Sequence, residues 1–195
     1  MTTQEFPHQH TAHCESGVMS TLLKYHGHNL DEAMIFGIAH ALTFVWMPLI
    51  KLNGMPLVSY RTAPRSIIKN TCKALGLKLS VRKFSDAQSG QAALDAALSS
   101  GKLAGLQTYV FWLPYFPPQM RFHFNAHNLL VYGKDGNDYL ISDPVFETVQ
   151  RCAAEDLQRA RFAKGVLAAK GMMYTLEDNR PSEKIMADLP AIIRK

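Results

Sequence analysis

The sequence predicts an α+β fold in which N-terminal helices pack on an antiparallel sheet, and three observations carry that expectation. Val18, Met19, Leu22, Leu23 and Tyr25 recur at helical spacing near the N-terminus. Farther on, Leu77, Leu79 and Val81 alternate with Lys78, Ser80 and Arg82, which is the period of a half-buried strand. Between two apolar runs, Lys134-Asp135-Gly136-Asn137 forms the strongest hairpin signal in the chain.

The remaining elements follow in order. The first helix begins near Cys14 or Glu15 and stops at Gly27. Asp31 caps a second helix running through Met34, Ile35, Ile38 and Leu42, after which Asn53-Gly54 and Pro56 mark turns. Pro64 sits at the first position of a helix through Ile67, Ile68, Cys72 and Leu75, stopped by Gly76. A strand over 77–84, a helix over 91–99 and a strand over 103–110 lead to an aromatic loop at 114–118. The hairpin strands are 125–132 and 138–141, then come a helix over 153–162 and a strand over 172–176.

At 195 residues, 47% hydrophobic and 19% charged, the chain is expected to be one domain over 1–195, with its core at about 8–176. The charged, Pro-bearing segment 177–195 carries no clear period. A net charge of +5 favours anionic surfaces, but no basic run exceeds two residues, so nucleic acid is not an expected partner. Ala33–Ile50 approaches membrane-span length, yet Gly37, His40, Thr43 and Pro48 interrupt it; it reads as a buried helix followed by a turn, and no membrane partner is expected. Met1–His10 lacks the pattern of a secretory signal, and three cysteines without a CxxC pair suit a reducing compartment, so the expected location is cytoplasmic.

Cys14 stands out among the cysteines. A thiol in the first turn of a helix feels the positive end of the macrodipole and unsatisfied backbone N–H groups, which favour the thiolate, the nucleophilic form. The competing reading is a buried small apolar residue. Cys72, between Ile68 and Leu75 on an apolar helix face, reads as core; Cys152, beside Arg151, ranks second as a nucleophile.

A thiolate needs a general base and a group that orients that base. His127 and Asp143 are equidistant from Asp135, so a loop centred there places them opposite each other on one face. A strict two-residue Asp135-Gly136 turn puts them on opposite faces instead, so the pairing requires an odd loop or a bulge. His123 is the rival base, on the same face as His127 in an extended strand. The Cys14 N–H and Gln9 are the oxyanion candidates, with His8, His10 and His13 as alternatives to Gln9. His13, Trp112, Tyr115 and His123 are candidates for the substrate pocket, Trp112 and Tyr115 through the aromatic loop 111–116.

Three blocks, His13-Cys14-Glu15-Ser16-Gly17, Leu22-Leu23-Lys24-Tyr25-His26-Gly27 and 31–38, resemble the N-terminal domain family of butirosin biosynthesis protein H. The likeness continues through Leu113-Pro114-Tyr115, His127–Gly133 and Ser142-Asp143-Pro144, and covers most of residues 8 to about 163. The later blocks also resemble bacteriocin-processing cysteine peptidases. The resemblance implies a papain-like cysteine protease fold with a Cys14, His127, Asp143 triad, and a reaction that forms an amide from a carrier-protein thioester. It does not carry over the aminoglycoside acceptor. The peptidase relatives place a glutamine six residues before the cysteine, where this chain has His8, with Gln9 five before.

The leading expectation is therefore a thiol acyltransferase with no metal or organic cofactor of its own, whose donor carries phosphopantetheine if it is an acyl carrier protein. Its partners are an acyl thioester and a small amine, with a homodimer plausible. The alternatives are a cysteine peptidase or amidase using the same triad, a non-catalytic binding module, and a metal site built from His8, His10, His13 and Cys14.

Overall fold

The computed structural model describes residues 6–52, 54–165, 167–177 and 180–194. In chain order its elements are α1 (Cys14–Tyr25), α2 (Glu32–Ile38), β1 (Leu42–Leu52), β2 (Met55–Arg61), α3 (Ser66–Leu75), β3 (Leu79–Arg82), α4 (Ala87–Ser99), β4 (Ala104–Thr108), β5 (His127–Asp135), β6 (Asp138–Ser142), β7 (Gln150–Ala153), α5 (Ala154–Phe162), β8 (Met173–Leu176) and α6 (Ser182–Ile193).

Six strands form one antiparallel sheet in the order β3-β8-β4-β5-β6-β7. Side-chain alternation on β5 splits the core in two. Leu130 and Tyr132 join α1, α2, α3 and α6 on one face, whereas Leu129 and Val131 join α4 and α5 on the other. Val18, Met19, Leu22 and Leu23 of α1 are fully buried against the first face, each contributing about 1.5–3 kcal/mol by burial. The α1 helix is held on the sheet by its apolar side, and its N-terminus faces the start of β5. Among the described residues no helix is long and apolar enough to cross a membrane.

The apolar stretch 33–50 is not one helix. The α2 helix ends at Ile38, and His40 takes a left-handed conformation at φ 49°. The chain then extends into β1, which pairs antiparallel with β2 in a separate two-stranded ribbon. Along Leu42-Thr43-Phe44-Val45-Trp46-Met47 exposed and half-buried residues alternate, as in a strand and contrary to the helical expectation. Asn53, half of the expected turn, lies outside the described residues. Pro64 precedes α3 rather than opening it, and Arg65 at φ 76° is the residue before the helix. Besides the ribbon strands β1 and β2, the short strand β7 and the helix α6, which contains Pro190, were not anticipated.

The β5–β6 hairpin contains the irregularity that the site demands. Its turn is Gly136-Asn137, closed by the Asp135↔Asp138 pair, with Gly136 at φ 58°. Between Val131 and Gly133 the register shifts by one residue, so Leu130 faces Ser142. That bulge reverses the face presented by the far end of β5. Continued past the last pair, the register puts Asp143 opposite Leu129 and diagonal to His127, on a shared face.

Candidate active site

Cys14 is the first residue of α1, and a network of polar side chains fixes the turn that presents it. Glu32, at the start of α2, accepts from the backbone N–H groups of Ala12 (2.9 Å) and His13 (2.7 Å). Arg61 donates to His13 Nε2, so His13 Nδ1–H donates to Ser16 Oγ at 2.9 Å, and Ser16 Oγ donates to Glu32 at 3.1 Å. His13 stands at the N-cap position of α1 with its ring held by Arg61 and Ser16, so it is not an open pocket wall. Burial first, then the Arg61 charge, lowers its pKa to about 4 against the opposing effect of Glu32.

On the other side of Cys14, the Glu15 carboxylate is completely buried. It accepts from Arg61 at 2.9 Å and from the N–H groups of Arg65 (3.1 Å) and Ile68 (3.3 Å). A residue of α1 therefore caps the N-terminus of α3, where orphan donors and the helix dipole favour an anion. An acid placed next to a cysteine in the first turn of a largely buried helix is the signal for this role.

Cys14, His127 and Asp143 meet in the structure. His127 Nε2 lies 2.7 Å from Asp143 Oδ2, with the imidazole 4% exposed and the carboxylate not at all. The other ring nitrogen, Nδ1, is left to serve the thiol, to which the ring is coupled by hydrogen bonding and charge. Burial disfavours the His127 cation, but the charge and hydrogen bond of Asp143, helped by Cys14, raise its pKa to about 10. For Cys14, burial pushes the thiol up; the His127 hydrogen bond and charge and the Asn128 N–H outweigh it, and the net shift is downward despite repulsion from Asp143. Both shifts favour the charged forms, thiolate on Cys14 and imidazolium on His127, over those of isolated groups. Cys72 and Cys152 show the contrast, since burial pushes both thiols up to about 12.

Asp143 has its acceptors filled. Oδ2 also accepts the Tyr115 hydroxyl at 2.8 Å, and Oδ1 accepts the Val145 N–H at 3.1 Å. Tyr115, expected to line a pocket, instead holds the carboxylate from behind. The N-terminal segment is sewn to the same loop. His8 bonds Ser142 Oγ (2.8 Å) and the Phe146 carbonyl (2.9 Å), while the Thr11 N–H donates to the Pro144 carbonyl at 2.9 Å. Gly17 permits this approach, because a Cβ there would sit 1.9 Å from Thr11 Oγ1 and 2.9 Å from Pro144 Cβ.

These bonds commit His8 to a structural role, so it is not a free oxyanion donor. Gln9 is half-buried, and its side chain makes no hydrogen bond among the described residues, which leaves its amide able to donate. The Cys14 N–H, in the first turn of α1, has no intrahelical acceptor. His123 belongs elsewhere: its ring stacks on Phe111 at 4.6 Å and its Nδ1 lies 2.6 Å from the Tyr109 hydroxyl. With Trp112, these residues line an open cleft of about 540 Å³ that includes no member of the Cys14–His127–Asp143 set. His8 and His13 are engaged with different partners, and among the described residues no group of three His, Cys, Asp or Glu side chains converges to hold a metal.

The family model for butirosin biosynthesis protein H, N-terminal, matches residues 13–144, more than half of the chain. The chain belongs to this family. No curated protein matched the sequence. Among solved structures, a protein described as a C39-like peptidase from Bacillus anthracis is similar, with a TM-score of 0.60 and 13% identity over 89% of this chain and 95% of that one. The peptidase domain of Streptococcus ComA, a bifunctional ABC transporter of a quorum-sensing pathway, gives a TM-score of 0.52 and 15% identity over 88% and 98%. At such identities the likeness shows the fold, which is papain-like. The butirosin H family thus has here the architecture of C39 cysteine peptidases, with α1 and the β5–β6 hairpin supplying the candidate triad.

Proposed function

We propose that this protein is a thiol acyltransferase that forms an amide from an acyl thioester, with Cys14 as nucleophile, His127 as acid and base, and Asp143 as the group that orients His127. The observation that carries the reading is the half-buried Cys14 beside the buried His127–Asp143 pair, in a chain whose family is named for a biosynthetic protein.

In the proposed reaction, the Cys14 thiolate attacks the thioester carbonyl carbon, and the oxyanion that forms draws on the Cys14 N–H and the Gln9 amide. Collapse expels the donor thiol, which takes the His127 proton, and leaves an acyl-enzyme thioester with neutral imidazole. An amine then attacks this thioester, His127 accepts the amine proton, and Cys14 departs as the thiolate. Amide and free thiol are the products, and the imidazolium is restored. The net charge of +5 would suit an acidic carrier protein delivering the acyl group on a phosphopantetheine arm.

Intact-mass spectrometry after incubation with a panel of acyl thioesters tests the proposal, comparing wild type with Cys14→Ala. An acyl adduct on wild type alone, released by amines faster than by water, is the expected result. Turnover of peptide bonds with no preference for thioesters would instead assign the site to a peptidase. Absence of any adduct or turnover would assign it to a binding module.

A further inference from the structure

The β1–β2 ribbon reverses the usual distribution of polarity. Along it exposed residues alternate with half-buried ones, so one face turns toward the domain and the other toward solvent. An antiparallel ribbon with one solvent face normally makes that face polar. Here the outward face is Leu42 (80% exposed), Phe44 (67%) and Trp46 (60%) on β1, beside Val58 (44%) and Tyr60 (68%) on β2. Phe44 and Tyr60 touch, with ring centroids 5.7 Å apart, and make a continuous apolar plane. Leu49, 96% exposed, and Met55, 70% exposed, add apolar surface at the tip of the ribbon. None of these side chains joins either core cluster.

We infer that this face is a homodimer interface, in which the ribbons of two copies pack face to face across a two-fold axis. The five residues of the plane expose on the order of 700 Å² per ribbon, more than the few hundred of an ordinary monomer patch and close to the roughly 800 Å² per partner of a stable complex. From Leu42 to Arg61 the only charged residues are Lys51 and Arg61, and Arg61 is engaged by Glu15 and His13. Lys51, opposite Pro56, stands at the tip edge of this face, so the plane has a single peripheral charge with which to select an unlike protein, whereas an identical apolar plane satisfies its interior, as an isologous contact requires. Two sheets stacked in this way also bury a two-stranded ribbon that is marginal when left alone in water. A lipid bilayer fits less well. Lys51 stands near the tip, where hydrocarbon would be deepest, and the apolar plane continues to Leu42 and Tyr60 at the root, beside the domain.

Sedimentation equilibrium of the full chain tests this inference, which does not depend on the reaction proposed above. Wild type is expected to be a dimer at low micromolar concentration. Trp46→Glu and, as a milder change on the second strand, Tyr60→Lys should each raise the dimer dissociation constant by about thirtyfold or more. Lys51→Ala should leave it within about threefold. Circular dichroism and the alkylation rate of Cys14 report that the variants retain the fold. A wild-type monomer at high micromolar concentration, or a dimer indifferent to both substitutions, overturns the inference. So does a monomer that co-sediments with phosphatidylcholine vesicles, which would assign the ribbon to a membrane surface.

Discussion

Tyr115 donates its phenolic proton to Asp143 Oδ2, the same oxygen that accepts from His127 Nε2, at 2.8 and 2.7 Å. The phenol thus shares in fixing the carboxylate that orients the base. Tyr115→Phe should keep the fold and lower the rate of Cys14 acylation by about tenfold, since one hydrogen bond to an ion is lost while two remain. Asp143→Asn should lose far more, because the amide can no longer balance an imidazolium. Single-turnover acylation of the two variants at one pH gives the comparison.

The reactivity of Cys14 should depend on His127 in a definite direction. In wild type the thiolate persists below the ordinary thiol range, so iodoacetamide alkylation should stay fast through neutral pH. In His127→Ala the burial effect stands unopposed and the midpoint should move above the ordinary value of 9.0, cutting the neutral rate by about a hundredfold. Cys72 and Cys152, raised to about 12, should remain unmodified. A stopped-flow alkylation profile against pH, with peptide mapping of the label, checks all three statements.

Two histidines should bound the stability of the fold from opposite sides. His13 has its pKa lowered to about 4, so the unfolded chain binds the proton more readily, and the contribution present above pH 6.5 is lost as pH falls through 4. His127 has its pKa raised to about 10, so its contribution is complete below 6.5 and is lost as pH rises through 10. Thermal midpoints measured from pH 4 to 10 should therefore fall at both ends. His13→Asn should flatten the acid side and His127→Asn the alkaline side.

Glu15→Ala should destabilise the protein by about 3 kcal/mol or more, because it strands the Arg61 guanidinium and uncaps α3 in one change. Urea denaturation measures the loss. Glu15→Gln, which still accepts from the two backbone N–H groups, should recover part of it.

Much of this site was legible before any coordinates. Cys14 announced itself through its helix-terminal position, and the pairing of His127 with Asp143 required a bulge, which is found at Val131–Gly133. The detail differed: the turn is Gly136-Asn137, and the two side chains are diagonal neighbours rather than directly opposed. The ribbon was hidden because Leu42–Leu52 is apolar on both faces, and such a run has no period strong enough to separate strand from helix. The α6 helix was hidden by Pro190. The roles of Tyr115, Glu32 and Arg61 depend on contacts between residues far apart in sequence, which no local pattern reports.

The stitching of His8 and Thr11 to the loop after β6 has a consequence for synthesis on the ribosome. The sulfur emerges more than a hundred residues ahead of the imidazole, the carboxylate and the strands that carry them. Until then Cys14 lacks the His127 hydrogen bond and charge and the Asn128 N–H that lower its pKa. Under the proposed mechanism, full nucleophilicity would await closure of those distant segments, so acquisition of reactivity would report the completion of folding on a nascent chain.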